Sequence, residues 1–186
     1  MDMDFEPSKI PDVYLIKPKV FGDARGFFME TYRFSEFLQA GITATFVQDN
    51  HSCSSRGVLR GMHYQIRQAQ GKLVRAVVGE VFDVAVDLRK NSPTFSHWVG
   101  HYLSSSNKNE VWIPPGFAHG FYVISDSAEI VYKTTNYWSS EWERTLLWDD
   151  PDVGIDWPFT AGQPPQVSEK DGGAALLKDI NPEDLF

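Results

Sequence analysis

The sequence predicts an all-β chain, folded as an antiparallel jelly roll with a few short helices. From residue 46 onward, short runs rich in β-branched and aromatic residues recur, and clusters of Gly, Pro, Asn and Ser separate them. No helical pattern lies between these runs. Many short strands at near-regular spacing are typical of antiparallel barrels and jelly rolls. The predicted strands are 73–78, 81–88, 95–103, 110–113, 120–124 and 128–137.

The first third of the chain adds smaller elements. Residues 1–12 are polar, contain two prolines and are expected to form an N-terminal arm. Residues 13–16 predict a strand that ends at Pro18, and residues 21–28 predict a turn followed by an aromatic strand. Ser35 is expected to cap a helix over 36–40, with Gly41 just after its end. The Gly79–Glu80 pair predicts a hairpin between the strands 73–78 and 81–88.

The C-terminal part changes in composition. From Asp149 onward Pro, Gly and Asp accumulate, which predicts an irregular segment, 149–186, lying over the barrel. One closing helical turn is expected at 174–177. No internal repeat or linker divides the chain, so a single domain over 1–186 is expected, large enough to bury a core.

Composition and charge exclude several classes of protein. The net charge of -8 disfavours binding to nucleic acid polymers, although local basic residues could hold a small anion. No apolar run approaches the ~20 residues that span a membrane. The acidic start of the chain does not resemble a signal peptide, and the single cysteine, Cys53, excludes an intramolecular disulfide. We therefore expect a soluble cytoplasmic protein.

Residues 60–75 concentrate polar chemistry within predicted β-structure. The stretch contains RGMHYQ at 60–65 and QGKLVR at 70–75, with glycines beside the histidine and the lysine. This is more polar chemistry than a strand pair that only fills a core would carry. We predict that His63 and Lys72 line one cavity and act on one substrate.

A jelly roll raises the possibility of a cupin, a fold that often binds metal through clustered histidines. The usual first cluster has His-x-His and a downstream Glu, whereas this chain has His63-Tyr64-Gln65. Only His119, after the turn at Pro115-Gly116, fits the second half of the pattern. One histidine from each half leaves too few ligands for a tight divalent site. We therefore predict no catalytic metal, which leaves the histidines available for acid–base chemistry.

Seven blocks of residues resemble the dTDP-4-dehydrorhamnose 3,5-epimerase family, in order and with the family's spacing, between about residues 13 and 171. They are RGMHYQ at 60–65, QGKLVR at 70–75, DVAVDLR at 83–89, SPTF at 92–95, WIPPGFAHGF at 112–121, YK at 132–133 and SEKD at 168–171. The resemblance implies a cupin-type homodimer that needs no metal or organic cofactor. It also implies a dTDP-sugar substrate, inverted at C3 and C5 on the route to dTDP-L-rhamnose.

The resemblance implies roles for the catalytic residues. Both carbons flank a C4 ketone, so the reaction needs a base, an acid on the opposite face and a donor for the enolate oxygen. His63 is the expected base, and Asp171 resembles the carboxylate that orients it. Lys72 resembles the cation that stabilises the enolate, although it could equally orient the sugar. Tyr132 resembles the acid, a role that suits a tyrosine whose pKa is lowered by nearby positive charge.

The remaining matched positions are implied substrate contacts. His119 resembles a sugar contact, Arg25, Arg60 and Lys170 match substrate-binding positions suited to phosphate, and Trp138 matches an aromatic position that stacks on thymine. Polar contacts are implied for Glu30, Gln48, Asn50 and Glu143. Arg25 and Glu30 lie in N-terminal strands that the family exchanges between subunits, so they are expected to serve the partner's site.

Simpler interpretations remain open. His51, His97 and His101 are interpreted as surface or core histidines, Cys53 as an ordinary small residue, and Asp171 could be a surface ion pair with Lys170. Asp83 alternates with Val84 and could face inward as a structural hydrogen-bond partner. Three alternative functions also remain: an epimerase acting on C3 or C5 alone, a non-catalytic cupin that binds a sugar nucleotide, and a metal-dependent cupin.

Overall fold

Two antiparallel sheets face each other in this computed structural model, which describes residues 3–160 and 162–186. The larger sheet has six strands in the order β1-β2-β10-β7-β12-β5, and the smaller has five in the order β13-β6-β11-β8-β9. A separate two-stranded hairpin, β3–β4, completes the β-structure. The strands are β1 Met3–Pro7, β2 Tyr14–Pro18, β3 Val20–Asp23, β4 Gly26–Met29, β5 Gln48–Ser55, β6 Leu59–Gln65, β7 Lys72–Val78, β8 Glu80–Asp87, β9 Trp98–Ser104, β10 Glu110–Ile113, β11 Phe117–Val123, β12 Ser127–Thr134 and β13 Glu143–Thr145.

Helices are short. The α-helices are α1 Phe34–Gln39 and α2 Glu169–Gly172, and two 3₁₀ helices cover Leu177–Asp179 and Pro182–Asp184. None of the helices within the described residues is long and apolar enough to cross a membrane. The predicted all-β jelly roll with a few short helices is confirmed.

The core lies between the two sheets. Its main cluster joins Val74 and Ile130 of the larger sheet to Val81, Leu103 and Phe121 of the smaller sheet, all of them buried. A second cluster covers the outer face of the smaller sheet with side chains of the C-terminal segment. A third packs α1 on the outer face of the larger sheet. Apolar side chains therefore pack both between the two sheets and against their outer faces.

The predicted hairpin at Gly79–Glu80 is wrong. Strand β7 pairs with β10 and β12, whereas β8 pairs with β9 and β11, so the two strands belong to different sheets. Gly79 turns the corner between the sheets with φ of 69°, and a Cβ atom there would lie 2.0 Å from the backbone oxygen of Ser127. A glycine that turns a corner produces the same local signal as a hairpin glycine, because both need a positive φ.

Three smaller features also differ from the sequence-based predictions. Residues 3–7 of the expected N-terminal arm form β1, which pairs with β2 and closes the edge of the larger sheet. The cap predicted at Ser35 is wrong: α1 begins earlier, at Phe34, with Arg33 as its N-cap residue and no side-chain capping bond. Gly41 does follow the helix with φ of 85°. The helical turn predicted at 174–177 is wrong: Ala175 forms a parallel bridge with Leu146, and the 3₁₀ helix Leu177–Asp179 begins only at the last predicted residue.

Candidate active site

A cavity of about 320 Å³ opens at one end of the barrel. It contains His63 from β6 and Lys72 from β7, as the sequence predicted, and these two strands lie in opposite sheets. Tyr132 enters from β12 of the larger sheet, so it approaches from the wall opposite His63. The lining residues are Gln48, Asn50, His63, Tyr64, Gln65, Gln70, Lys72, Tyr132, Trp138 and Glu143.

Two glycines set the position of His63. Strand β6 pairs with β11 so that His63 lies opposite His119. Between Gly61 and Gly120 the strands approach so closely that a Cβ atom on Gly61 would lie 2.5 Å from the Cα atom of Gly120. Any larger side chain at either position would push the strands apart, so this pair of glycines holds the two histidines side by side.

His63 forms a close pair with Asp171. The distance from His63 Nε2 to Asp171 Oδ1 is 2.7 Å, and Asp171 Oδ2 accepts from the backbone N–H of Gly61 at 3.3 Å. Burial alone would raise the pKa of Asp171, but the hydrogen bonds from His63 and from Gly61 lower it below its usual value. The carboxylate is therefore ionised and accepts the Nε2–H, which leaves the lone pair of His63 Nδ1 free to act as a base.

The helix α2 delivers Asp171 to this position. Ser168 caps the helix, because its Oγ accepts from the backbone N–H of Asp171 at 3.1 Å. Asp171 is 3% exposed and contacts His63, whereas Lys170 forms an ion pair with Glu143. The alternative of a surface ion pair between Asp171 and Lys170 therefore does not hold.

Lys72 is a buried ammonium at the floor of the cavity. It is 8% exposed, and its Nζ donates to the backbone oxygen of His63 at 3.4 Å. Burial lowers its pKa to about 8, against the opposing charges of Asp83 and Glu143. At neutral pH it is therefore largely charged and poorly neutralised, which suits a cation that stabilises a developing negative charge.

The pKa of Tyr132 is raised in this structure. Burial has the largest effect and raises the pKa of its hydroxyl, and the negative charge of Glu143 raises it further. The positive charge of Arg60 lowers this pKa only in part. The lowering by nearby positive charge that would suit the acid role is therefore outweighed in this structure. A raised pKa keeps the hydroxyl protonated, which is the state that a proton donor needs.

A second histidine–carboxylate pair lies beside the first, on the neighbouring strands β11 and β8. His119 Nε2 lies 2.8 Å from Asp83 Oδ2, and both residues are buried. Burial lowers the pKa of His119 despite the charge of Asp83, so its imidazole is neutral. Asp83 was assigned no functional role from the sequence. The available signal was one acidic residue facing inward within the apolar run of β8.

Cationic residues line a shallow depression on the far side of His63. Arg60, Lys170, Ser168 and Asp171 face this depression together with His63. Arg60 Nε donates to Ser54 Oγ at 2.9 Å. The depression therefore places two cations beside the His63–Asp171 pair, in a position where they could bind an anionic group.

The predicted polar contacts meet around Trp138 at the mouth of the cavity. Gln48 accepts from the backbone N–H of Trp138 at 3.0 Å and donates to Asn50 at 2.9 Å. Glu143 accepts from Trp138 Nε1 at 3.2 Å and from Lys170. These bonds hold an exposed indole at the entrance, where its face is available for stacking.

Arg25 and Glu30 lie outside this cavity. Arg25 lies at the tip of the β3–β4 hairpin, where its side chain is 90% exposed and pairs with Asp23. Glu30 follows the hairpin and pairs with Arg33. Within one chain, these are the two predicted substrate contacts that the fold does not bring to the others.

The two histidines considered as metal ligands, His63 and His119, lie opposite each other but belong to no larger ligand cluster among the described residues. Within residues 3–160 and 162–186, no group of three or more His, Cys, Asp or Glu side chains could hold a metal ion. His63 and His119 instead each use one ring nitrogen to contact a carboxylate. The candidate site therefore combines a group that can act as a base, a proton donor on the opposite wall and a buried cation. Proton transfer next to a carbonyl requires these three groups.

Comparison with known proteins agrees with this chemistry. A family model described as dTDP-4-dehydrorhamnose 3,5-epimerase matches residues 7–179. The chain belongs to that family. The family resemblance suggested by the seven sequence blocks is thereby confirmed, and with it the cupin-type fold and membership of a family of isomerases.

Individual relatives of the epimerase family are similar over nearly their whole length. The dTDP-4-dehydrorhamnose 3,5-epimerase of Pseudomonas aeruginosa is 63% identical over 173 residues, which cover 92% of this chain and 94% of the relative. That of Shigella flexneri is 58% identical over 91% of this chain and 93% of its own. A crystal structure of the dTDP-6-deoxy-D-glucose-3,5-epimerase from Legionella pneumophila, in complex with dTDP-4-keto-L-rhamnose, superposes with a TM-score of 0.95 at 50% identity, covering 98% of this chain and 97% of that one.

Proposed function

We propose that this chain inverts C3 and C5 of dTDP-4-dehydro-6-deoxy-D-glucose to give dTDP-4-dehydro-L-rhamnose, within dTDP-L-rhamnose biosynthesis. One observation carries the proposal: His63, oriented by Asp171, and Tyr132 reach one cavity from opposite walls, with Lys72 buried between the sheets. Epimerisation requires removal of a proton from one face of a carbon and its return to the other. A base and an acid on opposite walls match that requirement.

The reaction at each carbon is a proton transfer in two steps. His63 Nδ1 takes the proton from the carbon next to the C4 ketone, and the C–H electron pair moves into the carbonyl to form an enolate. Lys72 stabilises the enolate oxygen. Tyr132 then donates its hydroxyl proton to the opposite face as the C4 carbonyl re-forms. His63 and Tyr132 return to their starting states by exchanging a proton with solvent.

This chemistry requires no metal and no organic cofactor. The C4 ketone already acidifies the hydrogens on both neighbouring carbons, and no atom changes its oxidation state overall. The negative charge of the enolate is shared between the carbon that loses its proton and the C4 oxygen. One ammonium beside that oxygen can stabilise the charge. The residues named above therefore supply each group that the reaction uses.

The nucleotide part of the substrate has a matching set of residues. Arg60 and Lys170 lie in the depression beside His63, where they would bind the diphosphate. Trp138 lies at the mouth, where its ring would stack on thymine. Gln48, Asn50 and Glu143 supply hydrogen-bonding groups around it. His119 lies opposite His63 on the neighbouring strand, where it would contact the sugar.

We further propose a homodimer in which Arg25 and Glu30 complete the partner's site. The β3–β4 hairpin that carries Arg25 exposes Val20, Phe21, Phe27 and Phe28. Four large exposed apolar side chains on one short hairpin are what a contact with another chain would cover. We place this enzyme in the cytoplasm, where nucleotide sugars are made, with no role for a membrane or a nucleic acid polymer.

Heavy water provides the direct test of this function. The protein is incubated with dTDP-4-dehydro-6-deoxy-D-glucose in deuterium oxide, and the sugar is analysed after reduction. Deuterium at both C3 and C5, with L-rhamnose as the product, supports the proposal. Deuterium at one carbon indicates the single-carbon epimerase instead, and substrate binding without any exchange indicates a non-catalytic carrier. Activity that a chelator abolishes and a divalent ion restores would contradict the metal-free mechanism.

A further inference from the structure

Gln65 is a buried amide in the wall of the cavity, at the end of β6. It is 3% exposed and lies two residues after His63, and both side chains line the cavity. A buried amide is costly unless its oxygen and its N–H groups have hydrogen-bond partners. The partners of Gln65 therefore indicate what this side chain does.

The oxygen and the nitrogen of the Gln65 amide bond only to backbone groups. Nε2 donates to the backbone oxygen of Gln68 at 3.0 Å and to that of Tyr137 at 3.2 Å. Oε1 accepts from the backbone N–H of Ser139 at 2.8 Å. Because a carbonyl oxygen only accepts and an N–H only donates, these partners fix the orientation of the amide. One side chain thereby joins two separate loops.

The two loops are residues 66–71, between β6 and β7, and residues 135–142, between β12 and β13. The second loop carries Trp138, and Gln65 bonds to the residue on each side of it. Tyr137 and Trp138 are 64% and 55% exposed, so apolar burial contributes little to holding this part of the loop. Hydrogen bonds therefore hold the centre of the loop.

Backbone bonds between the two loops hold their ends. Thr135 donates its backbone N–H to the backbone oxygen of Gly71 at 3.0 Å, next to the end of β12. Ile66 donates to the backbone oxygen of Trp142 at 3.0 Å, next to the start of β13. Neither bond reaches the middle of the loop, where the indole is attached.

The bonds that the side chains of Gln48 and Asn136 add near Trp138 are exposed to water. Asn136 donates to the backbone oxygen of Ala69 at 2.9 Å, and Gln48 accepts from the backbone N–H of Trp138 at 3.0 Å. An exposed hydrogen bond competes with solvent, whereas breaking a buried one leaves polar groups without a partner. The buried amide of Gln65 is therefore the contact best placed to hold the backbone around Trp138.

We propose that Gln65 is a positioning residue for nucleotide binding: its buried amide fixes the backbone on both sides of Trp138 and thereby sets the place of the indole on which thymine would stack. This inference rests on the proposed function for the identity of the ligand. Gln65 acts through Trp138 and does not itself contact the nucleotide. A binding surface that is held in place before the ligand arrives costs less to order on binding, which strengthens binding.

A double-mutant cycle on dTDP binding, measured by calorimetry with the full chain, tests this role. Gln65→Met keeps the length of the side chain and removes its three bonds, so the dissociation constant of dTDP should rise about tenfold. In Trp138→Ala there is no indole to position, and the same change should alter the constant by less than about twofold. A role in stability alone would produce the same factor in both backgrounds.

Two further variants separate the amide from general damage. Gln65→Glu keeps the shape and the acceptor for Ser139 but has no N–H group for the two backbone oxygens. It should also weaken dTDP binding, and it carries the test if Gln65→Met does not fold. Asn136→Ala removes an exposed bond between the same two loops, so it should change the dissociation constant by less than about twofold.

Amide hydrogen exchange measures the contact without any ligand. In the free wild-type protein, the N–H of Ser139 should be protected by its bond to Gln65 Oε1. In Gln65→Met this N–H should exchange about tenfold faster or more. The N–H groups of Ile66 and Thr135, which are bonded at the ends of the loops, should keep their protection.

An unchanged dissociation constant in the folded Gln65 variants, an equal factor with and without Trp138, or unchanged exchange at Ser139 in Gln65→Met would each overturn the proposal. A wild-type chain that binds dTDP but does not epimerise the sugar would contradict the proposed function, and the cycle would still decide the role of Gln65. A wild-type chain that binds no dTDP would contradict both.

Discussion

His63 and Asp171 lie 108 residues apart in the chain, yet their side chains meet at 2.7 Å. The contact joins a strand of the smaller sheet to the short helix α2 of the C-terminal segment. Because Asp171 accepts the Nε2–H of His63, the opposite ring nitrogen is the one that can act as a base. The C-terminal segment therefore contributes a side chain to the candidate site as well as covering the sheet.

Replacing Asp171 with Asn should reduce kcat far more than it weakens binding. The amide keeps the shape but no longer fixes the tautomer of His63 or stabilises its protonated form, which typically costs on the order of 10³–10⁴-fold. Steady-state kinetics with the dTDP-sugar measures the effect. His51 and Glu129 form an exposed pair of similar geometry at 2.9 Å, so Glu129→Gln should leave kcat unchanged. A loss of less than tenfold in Asp171→Asn would remove the orienting role.

Replacing Tyr132 with Phe should separate proton exchange from inversion. His63 could still remove a proton and return one from solvent to the same face, but no donor would remain on the opposite wall. We expect deuterium to enter the recovered substrate from heavy water, while formation of the inverted sugar falls by about 10²–10⁴-fold. The buried Tyr122 on β11 provides the control, since Tyr122→Phe should preserve both processes. Normal inversion in Tyr132→Phe would assign the donor elsewhere.

The pH dependence of kcat/KM should report Lys72. Burial lowers the pKa of this ammonium to about 8, so it is charged below that pH and loses its charge as the pH rises through it. Activity should fall on the alkaline side of about pH 8. In Lys72→Arg the guanidinium stays charged throughout, so the slower enzyme should lack this limb. Lys133 lies on β12 and pairs with Asp49, so the control variant Lys133→Arg should retain the alkaline limb. An identical limb in Lys72→Arg would exclude Lys72 as its origin.

Mixed dimers test whether Arg25 acts in the partner's site. Arg25→Ala and His63→Ala chains are each expected to be nearly inactive alone. When they are co-expressed with different tags and purified as heterodimers, one site combines an intact His63 with the partner's intact Arg25. About half of the wild-type activity per dimer should return. If Arg25 served its own chain, both sites of the heterodimer would be damaged and no activity would return.

The strands were predictable from the sequence, but their partners were not. Runs such as Glu110–Ile113 match the prediction residue for residue, because β-branched and aromatic residues mark buried strands. The separation of β7 and β8 into two sheets was missed, since it depends on contacts between strands distant in sequence. The corner between the two sheets at Gly79 and a hairpin turn both require a positive φ, so both favour glycine.

The sequence predicts which residues form the candidate site, but it does not predict the pKa shifts of those residues. The matched blocks placed His63, Lys72, Tyr132 and Asp171 in one reaction, and the fold gathers them at one end of the barrel. The raised pKa of Tyr132 and the pairing of His119 with Asp83 depend on burial and on the register of β8 against β11, which no local pattern encodes. Arg25 lies at the tip of the β3–β4 hairpin and Glu30 directly follows it, so the fold of one chain does not bring them to the cavity.

The central claim is that His63 removes the proton at the carbons next to the ketone. It is tested most directly by deuterium exchange into the dTDP-sugar catalysed by His63→Ala, with dTDP binding measured on the same sample by calorimetry and His51→Ala as the surface control. The account predicts that His63→Ala binds dTDP nearly as wild type does while exchange at both C3 and C5 is lost, and that His51→Ala exchanges normally. Wild-type exchange at either carbon in His63→Ala would contradict it.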